Sequence, residues 1–182
     1  MKKIILTVFA ATSLLLYSTP SFAFSLSVGV PIGTTWTGSY ADGSKTKFDG
    51  ISGYFLGVQL PFGLGLGMDS HKTKIKGGTY KVAHTMYNLY YQLPVPVVSL
   101  ILGLGTGNSN YDCPDSGGGT CAEIFDKGAA TQWYTSIGFP IIPFFDIHLS
   151  YRSITSKNIK DPDGTKYDVS GTITGIGLAF NF

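Results

Sequence analysis

The stretch HLS places His148 and Ser150 at i and i+2. An imidazole beside a hydroxyl is the pairing a hydrolase uses to activate its nucleophile. Asp146 and Arg152 flank them at the same parity. In an extended chain those two charges stand about 20 Å apart, at roughly 3.3 Å per residue. They cannot pair with each other. An isolated buried charge is very costly, so each needs a partner on another segment. Candidates of suitable type are Asp69, His71, His84, Asn88, Tyr90, Gln92, Gln132 and Tyr134. A structural polar network is therefore the simpler reading of the same residues. Cys113 and Cys121 enclose seven residues, three of them consecutive glycines. A disulfide is expected there if the chain is exported. A metal pair is not: no histidine is near in sequence, and two ligands do not make a zinc site. LGLGTG looks like part of a nucleotide-binding loop, but no helical pattern follows it. No cofactor or metal is expected.

The segments that must hold these residues are charge-poor and alternate with period two. Leu26, Val28, Val30 and Ile32 alternate with Ser25, Ser27, Gly29 and Pro31. The same holds for Tyr87, Leu89, Tyr91 and Leu93 against Asn88, Tyr90 and Gln92, and for Ile147, Leu149 and Tyr151 against His148, Ser150 and Arg152. Tyr54, Leu56, Val58 and Leu60 follow suit, although Phe55 breaks the pattern. Charges cluster at residues 42–49, 69–81, 112–127 and 157–168, with Asp146 and Arg152 outside the clusters. Prolines punctuate the stretches between: Pro61, then Pro94 and Pro96, then Pro140 and Pro143. Proline is excluded from central strands, so each stretch reads as two strands joined by a short turn. Three such hairpins and one strand at each end make eight strands. The charged clusters become longer loops at the opposite end.

Residues 1–23 carry Lys2 and Lys3, an apolar run over 4–16, then Pro20 and Ser21-Phe22-Ala23. This is the pattern of a cleaved secretory signal peptide. Its run is too short for a membrane-spanning helix, which needs about 20 residues. The mature domain is then 24–182, with eleven basic and eleven acidic residues. That balance offers no basic stripe for nucleic acid. Soluble surfaces are often about 25–35% charged, and these strands carry almost no charge. The apolar face is therefore expected to meet lipid and the polar face to line a lumen. The fold class is all-β: an eight-stranded antiparallel up-and-down transmembrane β-barrel with short periplasmic turns and longer extracellular loops. The Gly residues of strands three, five and eight would leave room in the lumen for larger groups. The basic stretch SHKTKIKGGTYK reads as the second loop, with Lys72, Lys74, Lys76 and Lys81 placed to meet lipopolysaccharide phosphates, or to pair with the acidic third loop.

The stretches YNLYYQLPVPVVSLILGLGTG and FFDIHLSYRS and the closing strand GIGLAFNF together resemble the small eight-stranded outer-membrane barrels, the OmpX/Ail, OmpA-transmembrane-domain and OmpW-like group. The resemblance implies a monomer in the outer membrane of a Gram-negative-type bacterium. It also implies that Leu178, Phe180 and Phe182 act as the C-terminal signal read by the barrel-assembly machinery. The implied role is non-enzymatic: a loop platform for adhesion, envelope stability or ligand contact, with the surface ligand open. A narrow channel for small or apolar solutes is the alternative. A second alternative follows from HLS, which is similar to the His-x-Ser-Asn motif of the lipid A deacylase PagL, although Tyr151 replaces the Asn.

Overall fold

The computed structural model describes residues 24–38, 47–77, 80–95, 97–112, 126–142, 144–157, 159–160 and 163–182. The signal-peptide segment and the cysteine pair Cys113 and Cys121 lie outside the described residues. Eight long strands close into a barrel: β1 (Ser25–Trp36), β2 (Phe48–Gln59), β3 (Leu64–Ile75), β4 (Lys81–Leu93), β5 (Ser99–Asp112), β6 (Gly128–Ile142), β7 (Phe145–Thr155) and β10 (Gly171–Asn181). Each strand pairs antiparallel with its neighbour, and β10 closes the circle on β1. Two short strands, β8 (Ile159–Lys160) and β9 (Lys166–Tyr167), pair within the last loop. Closure removes the exposed edges that an open sheet would present to lipid.

The period-two pattern is realised with the apolar side chains outward. Leu104 is 70% exposed and Leu66 63% exposed, values that a soluble core would not tolerate for so many leucines. Aromatic residues flank this apolar band at two heights. Tyr54, Tyr87, Trp133 and Tyr151 lie toward the loop end, and Phe62, Phe144, Phe180 and Phe182 toward the turn end. Trp133 and Tyr151 touch across strands, with ring centroids 5.7 Å apart. Such girdles mark the two interfaces of a membrane-spanning barrel. The last residue is tied in: Phe182 N–H donates to Phe24 C=O at 2.9 Å, and the two rings lie 6.5 Å apart.

The structure departs from the sequence reading in four places. First, most of the expected second loop is strand. Residues 70–75 belong to β3 and Lys81 opens β4, leaving a short connection. The alternation simply continues, with His71, Thr73 and Ile75 inward and Lys72 and Lys74 outward. Second, Phe55 is not a flaw in the pattern but an inward residue, 5% exposed. Third, the last strand starts at Gly171 and the preceding loop contains the β8–β9 pair. Fourth, the lumen is not polar throughout, as described below. The β1–β2 ladder is also short. It has five rungs, from Ser25 opposite Gln59 to Gly29 opposite Phe55. Above it, Pro31 lacks an N–H, and β2 carries positive φ at Gly50 (99°) and Gly53 (151°), beside a bulge.

Candidate functional site

An eight-stranded barrel encloses a space just wide enough for side chains to fill. Following β4 from the loop end to the turn end gives the order in which this lumen is filled: Val82, His84, Met86, Asn88, Tyr90, Gln92. The first level is apolar. Trp36, Ile75, Val82 and Tyr111 pack with Ile159 of β8 and Val169, and Phe48 and Tyr167 lean on them. Val82, Ile159 and Val169 are fully buried. The β8–β9 pair thus brings Ile159 into the packing at the loop end of the barrel.

Beneath it, His71 stacks on His84 at a centroid distance of 5.0 Å. The two are direct cross-strand partners on β3 and β4. His84 Nδ1 lies 2.6 Å from Ser109 Oγ. Neither ring nitrogen of His71 has a hydrogen-bond partner among the described residues. The next apolar level joins Met86, Ala130, Ile154 and Ile173 to Phe55, with Ile51 at its edge.

The central polar group follows. Arg152 Nε donates to Asp69 Oδ2 at 3.0 Å, bridging β7 and β3. Gln132 Nε2 donates to the same carboxylate at 2.6 Å and to Asn88 Oδ1 at 2.8 Å. The guanidinium lies 3.6 Å from the Phe55 ring centroid and 4.8 Å from that of Tyr134. This sandwich explains why an aromatic residue stands on the inward face of β2. The cation needs π-faces once it has left water. Tyr134 occupies the space that a side chain on Gly103 would take, and Tyr90 does the same over Gly65. Glycine here is a matter of room, not of backbone freedom.

The turn end is closed by Gln92, Ser99 and Asp146. Gln92 Nε2 donates to Ser99 Oγ at 3.3 Å, and Ser99 Oγ donates to Asp146 Oδ2 at 2.9 Å. Asp146 thus finds its partner on β5, as Arg152 does on β3. A cavity of about 60 Å³ beside Arg152 is lined by Asp69, Asn88, Tyr90, Tyr134 and His148. Its polar lining and size suit a few ordered waters.

His148 and Ser150 both face this interior, but they bond different groups. His148 Nδ1 is 3.4 Å from Ser136 Oγ, and its Nε2 is 3.8 Å from Asp146 Oδ2. Ser150 Oγ donates to Gly175 C=O at 3.3 Å and accepts from Arg152 Nη1. The hydroxyl is engaged by the guanidinium rather than by the imidazole. Among the described residues, no group of three or more His, Cys, Asp and Glu could hold a metal ion.

All of the polar residues singled out in the sequence lie inward: Asp69, His71, His84, Asn88, Tyr90, Gln92, Gln132, Tyr134, Asp146, His148, Ser150 and Arg152. The apolar lumen residues were missed. Their signal was present as parity, since Val82 and Met86 share a face with Asn88, and Ile154 with Arg152. On the outer surface, Lys72, Lys74, Lys76 and Lys81 are exposed. Lys72 Nζ pairs with Asp112 Oδ2 at 2.7 Å. Phe180 and Phe182 face outward on the exterior of the turn end, with Leu178 half-buried beside them.

No family model matches the chain, and no curated protein sequence matches it. Solved structures do. Neisserial surface protein A aligns over 88% of this chain and 97% of its own, with a TM-score of 0.65 at 15% identity. The N-terminal β-barrel domain of Pseudomonas aeruginosa OprF covers 87% and 97%, with a TM-score of 0.52 at 13% identity. The Escherichia coli outer membrane protein W covers 89% and 98%, with a TM-score of 0.52 at 13% identity. At such identities the likeness is one of architecture, and it agrees with the strand count, the closure and the outward apolar band. The chain has the fold of the small eight-stranded outer-membrane β-barrels.

Proposed function

We propose that this is a non-enzymatic, monomeric barrel of the outer membrane of a Gram-negative-type bacterium. Its closed lumen serves as a rigid plug, and its loops form a surface platform for adhesion, envelope stability or ligand contact. The observation that carries the reading is the stacked filling of the lumen, from Ile159 and Val82 through Arg152–Asp69 to Gln92–Ser99–Asp146. A filled interior leaves the loops and the outer wall as the surfaces free to meet partners. Leu178, Phe180 and Phe182 are the segment we assign to recognition by the barrel-assembly machinery during insertion. The non-enzymatic reading is supported over a PagL-like hydrolase by His148 and Ser150 bonding different groups rather than each other.

The test begins with heat-modifiable gel mobility of the detergent-extracted protein, which reports a folded barrel. Conductance in planar bilayers follows. The folded protein is expected to leave the current at that of a protein-free membrane. Reproducible unitary steps from the wild type would replace the platform with a channel for small solutes.

A further inference from the structure

We infer that the turn end of the barrel is a lipid-binding surface: Phe62, Val97, Ile141, Ile142 and Phe144 lie in the inner leaflet, against phospholipid acyl chains, and do not project into the periplasm. The inference rests on the reading of the protein as an outer-membrane barrel and says what covers the end of that barrel. Turns that meet water are rich in Gly, Asn, Asp and Ser. Here residues 60–64 read LPFGL, 94–98 read PVPVV and 140–144 read PIIPF, and no side chain among them carries a polar group. Phe62, Ile141, Ile142 and Phe144 are each more than half exposed, and Val97 is 85% exposed. Val97 also holds φ at 75°. A β-branched residue is unfavourable in that region, where a turn in water would use Gly or Asn.

The backbone suits the same place. A main-chain group at membrane depth has no water to bond and must be satisfied within the protein. The three stretches hold five of the nine prolines, and a proline has no N–H to satisfy. Leu60 N–H donates to Leu64 C=O at 2.8 Å, Gly63 N–H to Leu60 C=O at 3.0 Å, and Val95 N–H to Leu93 C=O at 2.8 Å. Turn carbonyls are tied to neighbouring strands as well. Gln92 N–H donates to Gly63 C=O at 2.8 Å, and Asn181 N–H to Phe144 C=O at 3.1 Å.

The height of the apolar band selects lipid as the occupant. On the loop side the band ends at Tyr54, Tyr87, Trp133 and Tyr151, and beyond it the outer wall exposes Thr106, Asn108, Thr131 and Thr155. On the turn side the exposed Leu60, Phe139 and Phe180 lead straight into the apolar turns. Eight residues separate Trp133 from Ile141, and seven separate Tyr151 from Phe144. At roughly 3.3 Å per residue and a strand tilt of about 40°, that is about 18–20 Å of height, against about 25 Å for the apolar band of an outer-membrane barrel. With the loop-side girdle at the outer interface, the turns end short of the inner one. A protein partner would be met by an apolar centre inside a polar rim. This surface instead continues the lipid-facing wall without a rim between them.

The test uses the wild-type protein with isotope-labelled Ile, Leu, Val, Ala and Thr methyl groups in phosphatidylcholine nanodiscs. Broadening of the methyl resonances is compared between a phosphatidylcholine carrying a nitroxide near its head group and a water-soluble gadolinium chelate. The nitroxide lipid should broaden Val97, Ile141 and Ile142 severalfold more than Ala129 and Thr155, which stand beyond the loop-side girdle. The chelate should broaden the same three severalfold less than Ala129 and Thr155. Chelate broadening at the turns equal to that at Thr155 overturns the inference, because the turns then stand in water. Protection of the turns from both agents overturns it as well, because a second copy of the chain then covers them. Leu66 marks the middle of the lipid-facing wall, and chelate broadening there would instead strike the barrel reading itself.

Discussion

The loop-side end of the lumen is filled as a soluble protein fills its core, whereas the middle and the turn side are filled by a hydrogen-bonded polar network. Val82, Ile159 and Val169 hold the first region by burial alone. Arg152, Asp69, Gln132 and Asn88 hold the second by charge-assisted contacts between β3, β4, β6 and β7. The two regions share strands, parity and diameter, so neither secondary structure nor barrel size explains the contrast. What differs is the cost of error. A truncated apolar side chain loses contacts and leaves a cavity. A truncated member of the polar network leaves a charge buried without its partner.

That contrast is breakable by substitution, with unfolding in urea followed by heat-modifiable mobility as the common readout. Arg152→Ala strands the Asp69 carboxylate, 1% exposed, and should cost about 3–5 kcal/mol. Replacing both partners, Arg152→Met with Asp69→Leu, should recover most of that loss, since paired buried charges contribute little net stability. If the double variant is no better than the single one, the network is held by more than the pairing of charges. Met86→Ala opens the apolar level instead and should cost about 2–5 kcal/mol, with no second substitution to rescue it. The smallest effect is expected from Ile159→Val, about 0.5–1.5 kcal/mol, because one methylene is lost from the packing at the loop end. A larger loss there would show that β8 braces the long strands and does more than fill the mouth.

Much of this architecture could be read before any coordinates. Eight strands followed from the spacing of prolines and charge clusters, because proline interrupts a ladder and clustered charge does not sit in a charge-poor strand. The inward set was legible as well: residues as different as Asp69, His84, Gln132 and Arg152 shared the parity opposite the leucines. The reading failed where polarity and parity disagreed. Phe55 looked like a break because an aromatic residue was counted as lipid-facing by type. Val82, Met86, Ile154 and Ile173 were passed over for the same reason. Lys72 and Lys74 were assigned to a loop because charge was taken to end a strand, although a barrel strand that rises past the head groups can carry charge on its outer face.

The amino-acid order by itself determined the closed all-β architecture and which residues turn inward, because a period of two assigns every side chain to one of two faces. Only the folded chain decided which inward residues meet. Pairs such as Arg152 with Asp69, or Phe55 with the guanidinium, join strands far apart in sequence, and their contact depends on the register and stagger of a closed ladder that no local pattern encodes.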